Sequence, residues 1–237
     1  MDFSFLSLTE KISRIQRRLL HALDRWGVHP NHITIAGTLF QCFAGWLFYR
    51  GLWLTGGLVL LGASTFDILD GALARAGDKE SRFGAFLDST LDRVSDMALF
   101  GGLLAGYAGR GCAALAVVAL YGLVTSVLIS YAKARAENLM PDCTVGLAQR
   151  PERITLLIAG GLFRSMPLGL GLIALFNTLT VSQRILSTYW SLEGRMPRGR
   201  FCRRTVFLDF GRDSRAYRIL AGVTLVGFAT FRLLISI

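Results

Sequence analysis

Asp67-Ile68-Leu69-Asp70-Gly71-Ala72-Leu73-Ala74-Arg75, followed after eight residues by Gly84, after three more by Asp88 and after another three by Asp92, is the stretch whose reading decides the fold. Its aspartates sit inside or at the ends of otherwise apolar segments. A carboxylate at the centre of a membrane-spanning helix costs about 2.5–3.5 kcal/mol on insertion scales, so several together demand a polar cavity, proton sharing or cations. Mutual repulsion points the same way, because carboxylates that share a site either raise a pKa or capture a metal. Asp67 and Asp70, three apart, share one helix face, and Asp88 and Asp92, four apart, share another. A short loop between two antiparallel helices would bring both pairs together, and four oxygen-donating side chains suit two Mg²⁺ or Mn²⁺ ions rather than zinc. The small residues Gly71, Ala72, Ala74, Gly84 and Ala85 let backbones and a bulky ligand approach, and Arg75 is placed for a phosphate. Asp96 extends the ladder more deeply, as a hydrogen-bonding support or as the structural partner of a basic group such as Arg93.

The surroundings agree with a membrane setting. Of 237 residues 52% are hydrophobic and 18% charged, with a mean hydropathy of +0.47. Six apolar stretches, 33–49, 53–74, 83–107, 112–132, 154–166 and 168–186, have mostly the length of about 17 to 25 residues that a spanning helix needs. Arg164 and Pro167 mark a tight turn between the last two. The fold expected is an all-α polytopic membrane protein with six transmembrane helices. The net charge of +10 forms no continuous basic stripe, which argues against a nucleic-acid-binding protein. Nearly all of its cations fall in the N-terminal segment, the 75–82 and 133–153 loops and the chain from Arg184 on, and the intervening turns hold Arg50, Arg110 and Arg164 alone. By the positive-inside rule the N-terminus and the carboxylate end face the cytoplasm.

The N-terminal residues 1–29 lack the pattern of a signal peptide. Residues 9–26 within them are amphipathic and are expected to lie along the membrane surface. The tail, 188–237, adds a basic run and an apolar segment at 217–237 that reads as interfacial or peripheral, with a seventh span as the alternative. Cys42, Cys112, Cys143 and Cys202 are scattered without metal-ligand spacing and read as packing residues.

The quoted residues resemble the signature of the CDP-alcohol phosphotransferases, with all eight specified positions matched in a 26-residue window. The resemblance spans roughly residues 30–184 and not the tail. It implies that Asp67, Asp70 and Asp88 are metal ligands and that Asp92 is the general base and also touches a metal. It implies further that Gly71, Ala74, Arg75 and Gly84 line a CDP pocket, and that the domain, 30–187, forms a homodimer. Pro30-Asn31-His32-Ile33-Thr34 resembles that family's opening of the first helix, where Asn31 either contacts the nucleotide or caps the helix. His29 and His32 read as structural or exposed.

Ser130-Tyr131-Ala132-Lys133-Ala134-Arg135-Ala136-Glu137, Arg150-Pro151-Glu152-Arg153 and Thr180-x-x-Gln183-Arg184 add cations at the carboxylate end, enough to grip a phosphorylated acceptor. These segments resemble the branch of phosphatidylinositol phosphate synthases, which implies CDP-diacylglycerol as donor and inositol 1-phosphate as acceptor. Lys133, Arg153 and Arg184 would hold the acceptor phosphate, with Ser130 nearby. Glycerol 3-phosphate, as used by phosphatidylglycerophosphate synthases, is the alternative acceptor, and a cation transporter is the non-enzymatic alternative.

Overall fold

The computed structural model describes residues 30–76, 81–139 and 145–193; the side chains of residues 30 and 67–76 fall outside that description. The expected N-terminal surface helix and the C-terminal apolar segment likewise lie outside the described residues, as do Cys143 and Cys202. Six helices follow in order: α1 Pro30–Tyr49, α2 Trp53–Ala76, α3 Arg82–Gly109, α4 Ala113–Glu137, α5 Arg150–Leu162 and α6 Met166–Leu192. Each coincides with one of the apolar stretches, and no strand occurs among the described residues. The largest differences are at α6, which continues six residues past its apolar stretch to Leu192, at α4, which continues five past its own to Glu137, and at α5, which lies four residues earlier at both ends. α4 and α6 are long and apolar enough by themselves to cross a membrane. α5, at 13 residues, is about 20 Å long and therefore short for a span.

The helices pack in a closed circuit, α2–α1–α3–α4–α6–α5 and back to α2, so each touches two principal neighbours. Two crossings depend on glycine. A side chain at Gly45 or Gly102 would strike the backbone of the facing helix where α1 meets α3, and Gly57 and Gly161 serve α2 and α5 in the same way.

Along the circuit the two ends differ in chemistry. At one end Ala44, Phe48, Leu60, Leu99, Phe100, Leu103, Ala119, Leu157 and Leu170 form a continuous apolar core. Towards the other end the interior holds Gln41, Ser95, Asp96, Thr125, Ser126, Arg153, Asn177, Thr180 and Arg184. Outward faces stay apolar, with Leu39, Phe43 and Trp46 exposed on α1 and Val117, Leu120, Val124 and Leu128 on α4. Helices apolar on inner and outer faces alike suit a lipid surround rather than water.

Three-residue turns close the apolar end, and they are built alike. In each, the residue after the helix cap is left-handed: Gly51 at φ 77°, Gly111 at φ 73° and Arg164 at φ 52°. The amides of Gly51 and Leu52 bond to the carbonyls of Phe48 and Leu47, those of Gly111 and Cys112 to Ala108 and Tyr107, and those of Arg164 and Ser165 to Gly161 and Gly160. This is the Schellman arrangement, which satisfies carbonyls otherwise left without partners at a helix end. The expected turn at Arg164 is present, and Pro167 falls in the first turn of α6, where its missing N–H costs nothing. Arg110 also donates to the Tyr49 carbonyl at 2.8 Å and lies over the Trp53 ring, while Arg50 lies over Trp46. Cations over aromatic rings are expected at a membrane interface.

Candidate active site

Asp88 and Asp92 stand one turn apart near the start of α3, whose first turn is capped by Ser81 accepting from the Gly84 amide at 2.9 Å. Asp88 is exposed and Asp92 half-buried. Asp67 and Asp70 lie in the last part of α2, joined to α3 by residues 77–81, so all four acids belong to the same end of the bundle. The side chains of Asp67, Asp70, Gly71, Ala74 and Arg75 are outside the described residues. Asp88 and Asp92, two carboxylates on one helix face with solvent access, fit the donor chemistry of a hard divalent cation.

Gly84 and Asn31, expected near the nucleotide, are neighbours: a Cβ at Gly84 would come within 3.3 Å of Asn31 Oδ1. Asn31 does not occupy the capping position, because α1 already begins at Pro30. His32 is exposed, in keeping with its expected role.

A cavity of ≈ 140 Å³ opens beside Asp92. That is far more than the about 10–15 Å³ needed for one water. Its wall includes all four residues expected at the acceptor phosphate, Ser130, Lys133, Arg153 and Arg184. Arg93, Arg150 and Asp96 also line it, so five cations face two carboxylates. Such a balance suits a dianionic ligand.

The cations are held in different ways. Arg153, 1% exposed, donates to Asp96 Oδ2 at 2.8 Å and to the Ala148 carbonyl at 3.2 Å. Asp96 is therefore the structural partner of Arg153, not of Arg93; Arg93 turns back to the Ser89 carbonyl on its own helix. Arg184, equally buried, donates to the carbonyls of Val145 and Ile129, tying α6 to α4 and to the segment ahead of α5. Thr180 secures that segment by accepting from the Ala148 amide at 2.8 Å, against Gly146 at φ 139°. Lys133 is only half-buried and pairs loosely at 3.6 Å with Glu137.

Arg150, in the Arg-Pro-Glu-Arg run, is a functional candidate to which the sequence alone assigns no role. Its Nη1 lies 2.8 Å from Asp92 Oδ1, and its Nη2 donates to Gln41 Oε1 at 2.9 Å and to Ser95 Oγ at 3.1 Å. Arg150 opens α5, where the helix dipole disfavours a cation by about 0.3–1 kcal/mol. That location could have drawn attention to it; Gln41, isolated in mid-α1, gave no signal.

Residues 27–188 match the family model described as CDP-alcohol phosphatidyltransferase. The chain belongs to that family, transferases of phospholipid biosynthesis. It is 35% identical to the archaetidylinositol phosphate synthase of Pyrococcus horikoshii over 77% of this chain and 95% of the relative. It is 40% identical to the phosphatidylinositol phosphate synthase of Mycobacteroides abscessus over 74% and 84%. The crystal structure of the Mycobacterium tuberculosis phosphatidylinositol phosphate synthase with CDP-DAG bound superposes with a TM-score of 0.70 at 36% identity, covering 78% of this chain and 98% of that one. Another structure of that enzyme, in complex with manganese and citrate, superposes with a TM-score of 0.66 at the same identity.

Proposed function

We propose that this chain transfers a phosphatidyl group from CDP-diacylglycerol to a hydroxyl of inositol 1-phosphate and releases CMP. The observation that carries the reading is the single cavity in which Asp92 faces Ser130, Lys133, Arg153 and Arg184. Asp92 is the general base: its carboxylate takes the proton of the attacking hydroxyl as the acceptor oxygen bonds to the lipid-side phosphorus and the bond to CMP breaks. Lys133 and the braced guanidinium groups orient the acceptor through its phosphate. Asn31, Gly71, Ala74, Arg75 and Gly84 form the CDP side of the site. Asp67, Asp70, Asp88 and Asp92 would hold two Mg²⁺ or Mn²⁺ ions, which supply charge neutralisation at the diphosphate and the departing CMP. The relatives' names agree on inositol phosphate and differ in the lipid group, archaetidyl or phosphatidyl, so the acceptor is the better supported half of the assignment.

The same reading places the chain in the cytoplasmic membrane as a homodimer of six-span subunits, with the carboxylate end facing the cytoplasm. The apolar outward faces and the concentration of cations at the carboxylate end support it.

The test is CMP release by the purified full chain with CDP-diacylglycerol and Mg²⁺, offering inositol 1-phosphate, glycerol 3-phosphate or free inositol. Turnover with inositol 1-phosphate alone, lost on chelation and restored by Mg²⁺ or Mn²⁺, is expected. Preference for glycerol 3-phosphate would overturn the acceptor, and absence of CMP with every acceptor would overturn the enzyme.

A further inference from the structure

Asp92 must present its carboxylate to a hydroxyl in a defined direction, yet it projects from one helix into an open cavity. Arg93 on the same helix stands 3.7 Å from its Oδ2, and the closer partner comes from another element. Arg150, at the first position of α5, reaches Asp92 Oδ1 with Nη1 and turns Nη2 to Gln41 Oε1 and Ser95 Oγ. Gln41 is 1% exposed and Ser95 fully buried, so neither meets the cavity contents. Gln41 belongs to α1 and Arg150 to α5, helices that are not principal neighbours in the circuit. A buried amide in a mostly apolar helix is costly unless its oxygen is used. Here it is used on a guanidinium whose other nitrogen holds the proposed base.

We propose that Gln41 and Ser95 are positioning residues, acting through Arg150 to aim the Asp92 carboxylate at the acceptor hydroxyl. This rests on the assignment of Asp92 as base. With two acceptors on one nitrogen, the planar guanidinium is held in place and in turn holds Asp92 Oδ1, while Asp92 Oδ2 lies 3.7 Å from Arg93 Nη1 on the same helix. Lysine at 150 would not substitute, because a single ammonium does not reproduce the planar fork that spans both partners.

The test compares Gln41→Met, which keeps the volume and removes the acceptor, with Gln41→Glu, which keeps an acceptor oxygen. Each is also made in an Arg150→Met background. Loss of such supporting partners typically costs about 10- to 100-fold in activity. Gln41→Met is expected to lower kcat by about tenfold with KM for CDP-diacylglycerol unchanged, Gln41→Glu to retain most of the turnover, and Gln41→Met to add nothing once Arg150 is Met. Thermal unfolding of Gln41→Met should match that of Gln41→Glu. If the loss persists in the Arg150→Met background, or if KM for the lipid rises instead of kcat falling, Gln41 acts by another route and the inference is wrong. Failure of the underlying assignment is read separately, as wild-type CMP release by Asp92→Asn in an otherwise intact chain.

Discussion

The two ends of this bundle use the same six helices for opposite purposes. At the end closed by the turns at Gly51, Gly111 and Arg164, interior positions are Phe48, Phe100, Leu103 and Leu170, and the connections are three residues long. At the other end the same helices bury Gln41, Ser95, Asp96, Arg153, Thr180 and Arg184 around a cavity, and the connections are longer. Buried polar groups stabilise only when fully partnered, and an unpartnered one costs several times what a methyl group contributes. An apolar end that packs itself therefore lets the polar end carry groups chosen for a ligand. The comparison makes a definite claim: substitutions at the polar end should change turnover, and those at the apolar end should change stability alone.

The largest expected effect is at Asp92. Asp92→Asn keeps the shape and the Arg150 contact but cannot take a proton, so CMP release should fall by about 10²- to 10⁴-fold. Thermal unfolding should barely move. A variant that kept its activity would remove the polar end's claim to be catalytic.

Next comes the buried pair of Asp96 and Arg153. Asp96→Leu leaves a guanidinium buried without its charge partner, a loss of about 3–5 kcal/mol. Removing both charges, in Asp96→Leu with Arg153→Met, should return most of that stability, since a buried ion pair is often replaceable by apolar groups of similar volume. Activity should not return with it, because Arg153 lines the cavity proposed for the acceptor. Recovery of both properties would mean that Arg153 has only a structural role.

At the apolar end, Gly102→Val tests the closest helix crossing. The added methyl groups meet the backbone of Gly45, so α1 and α3 must separate. Overpacking of this kind costs about 1–3 kcal/mol. The variant is expected to unfold at lower temperature while the KM for acceptor in the surviving folded enzyme stays unchanged.

What was legible in the sequence follows the same division. Each helix was visible because a long apolar run is a strong compositional signal, and the four acids were visible because charges are rare in such runs. Ser130, Lys133, Arg153 and Arg184 were also legible as a set, and the structure brings them to one cavity with Asp92. The contacts within that set were not. Asp96 pairs with Arg153 across two helices rather than with adjacent Arg93, a choice set by packing that no local spacing records. Arg150 and Arg153 are indistinguishable in the Arg-Pro-Glu-Arg run, yet one reaches the proposed base and the other braces the wall. Gln41 has no neighbouring motif; its role exists only once α5 is laid against the bundle.

The smallest effect sharpens the comparison most, because it concerns a residue with no expected part in the chemistry. Arg164 repeats in its turn the position that Gly51 and Gly111 fill in theirs, with the same pair of backbone hydrogen bonds and a φ of 52°. An L-residue in the left-handed region is disfavoured by roughly 1–2 kcal/mol relative to the right-handed one, a cost that glycine does not bear. Glycine in turn gives the unfolded chain more freedom, which offsets about 0.4–1 kcal/mol. Arg164→Gly is therefore expected to raise stability by up to about 1.6 kcal/mol, measured by thermal unfolding in a lipid or detergent environment, with CMP release unchanged. The exposed guanidinium adds a second possibility that the measurement resolves. If Arg164→Gly lowers stability while Arg164→Asn, which tolerates the same backbone, lowers it equally, the arginine is held at that turn by its charge at the membrane surface. If glycine and asparagine both stabilise, the left-handed turn alone governs the position, and the apolar end is built on backbone geometry in all three of its turns.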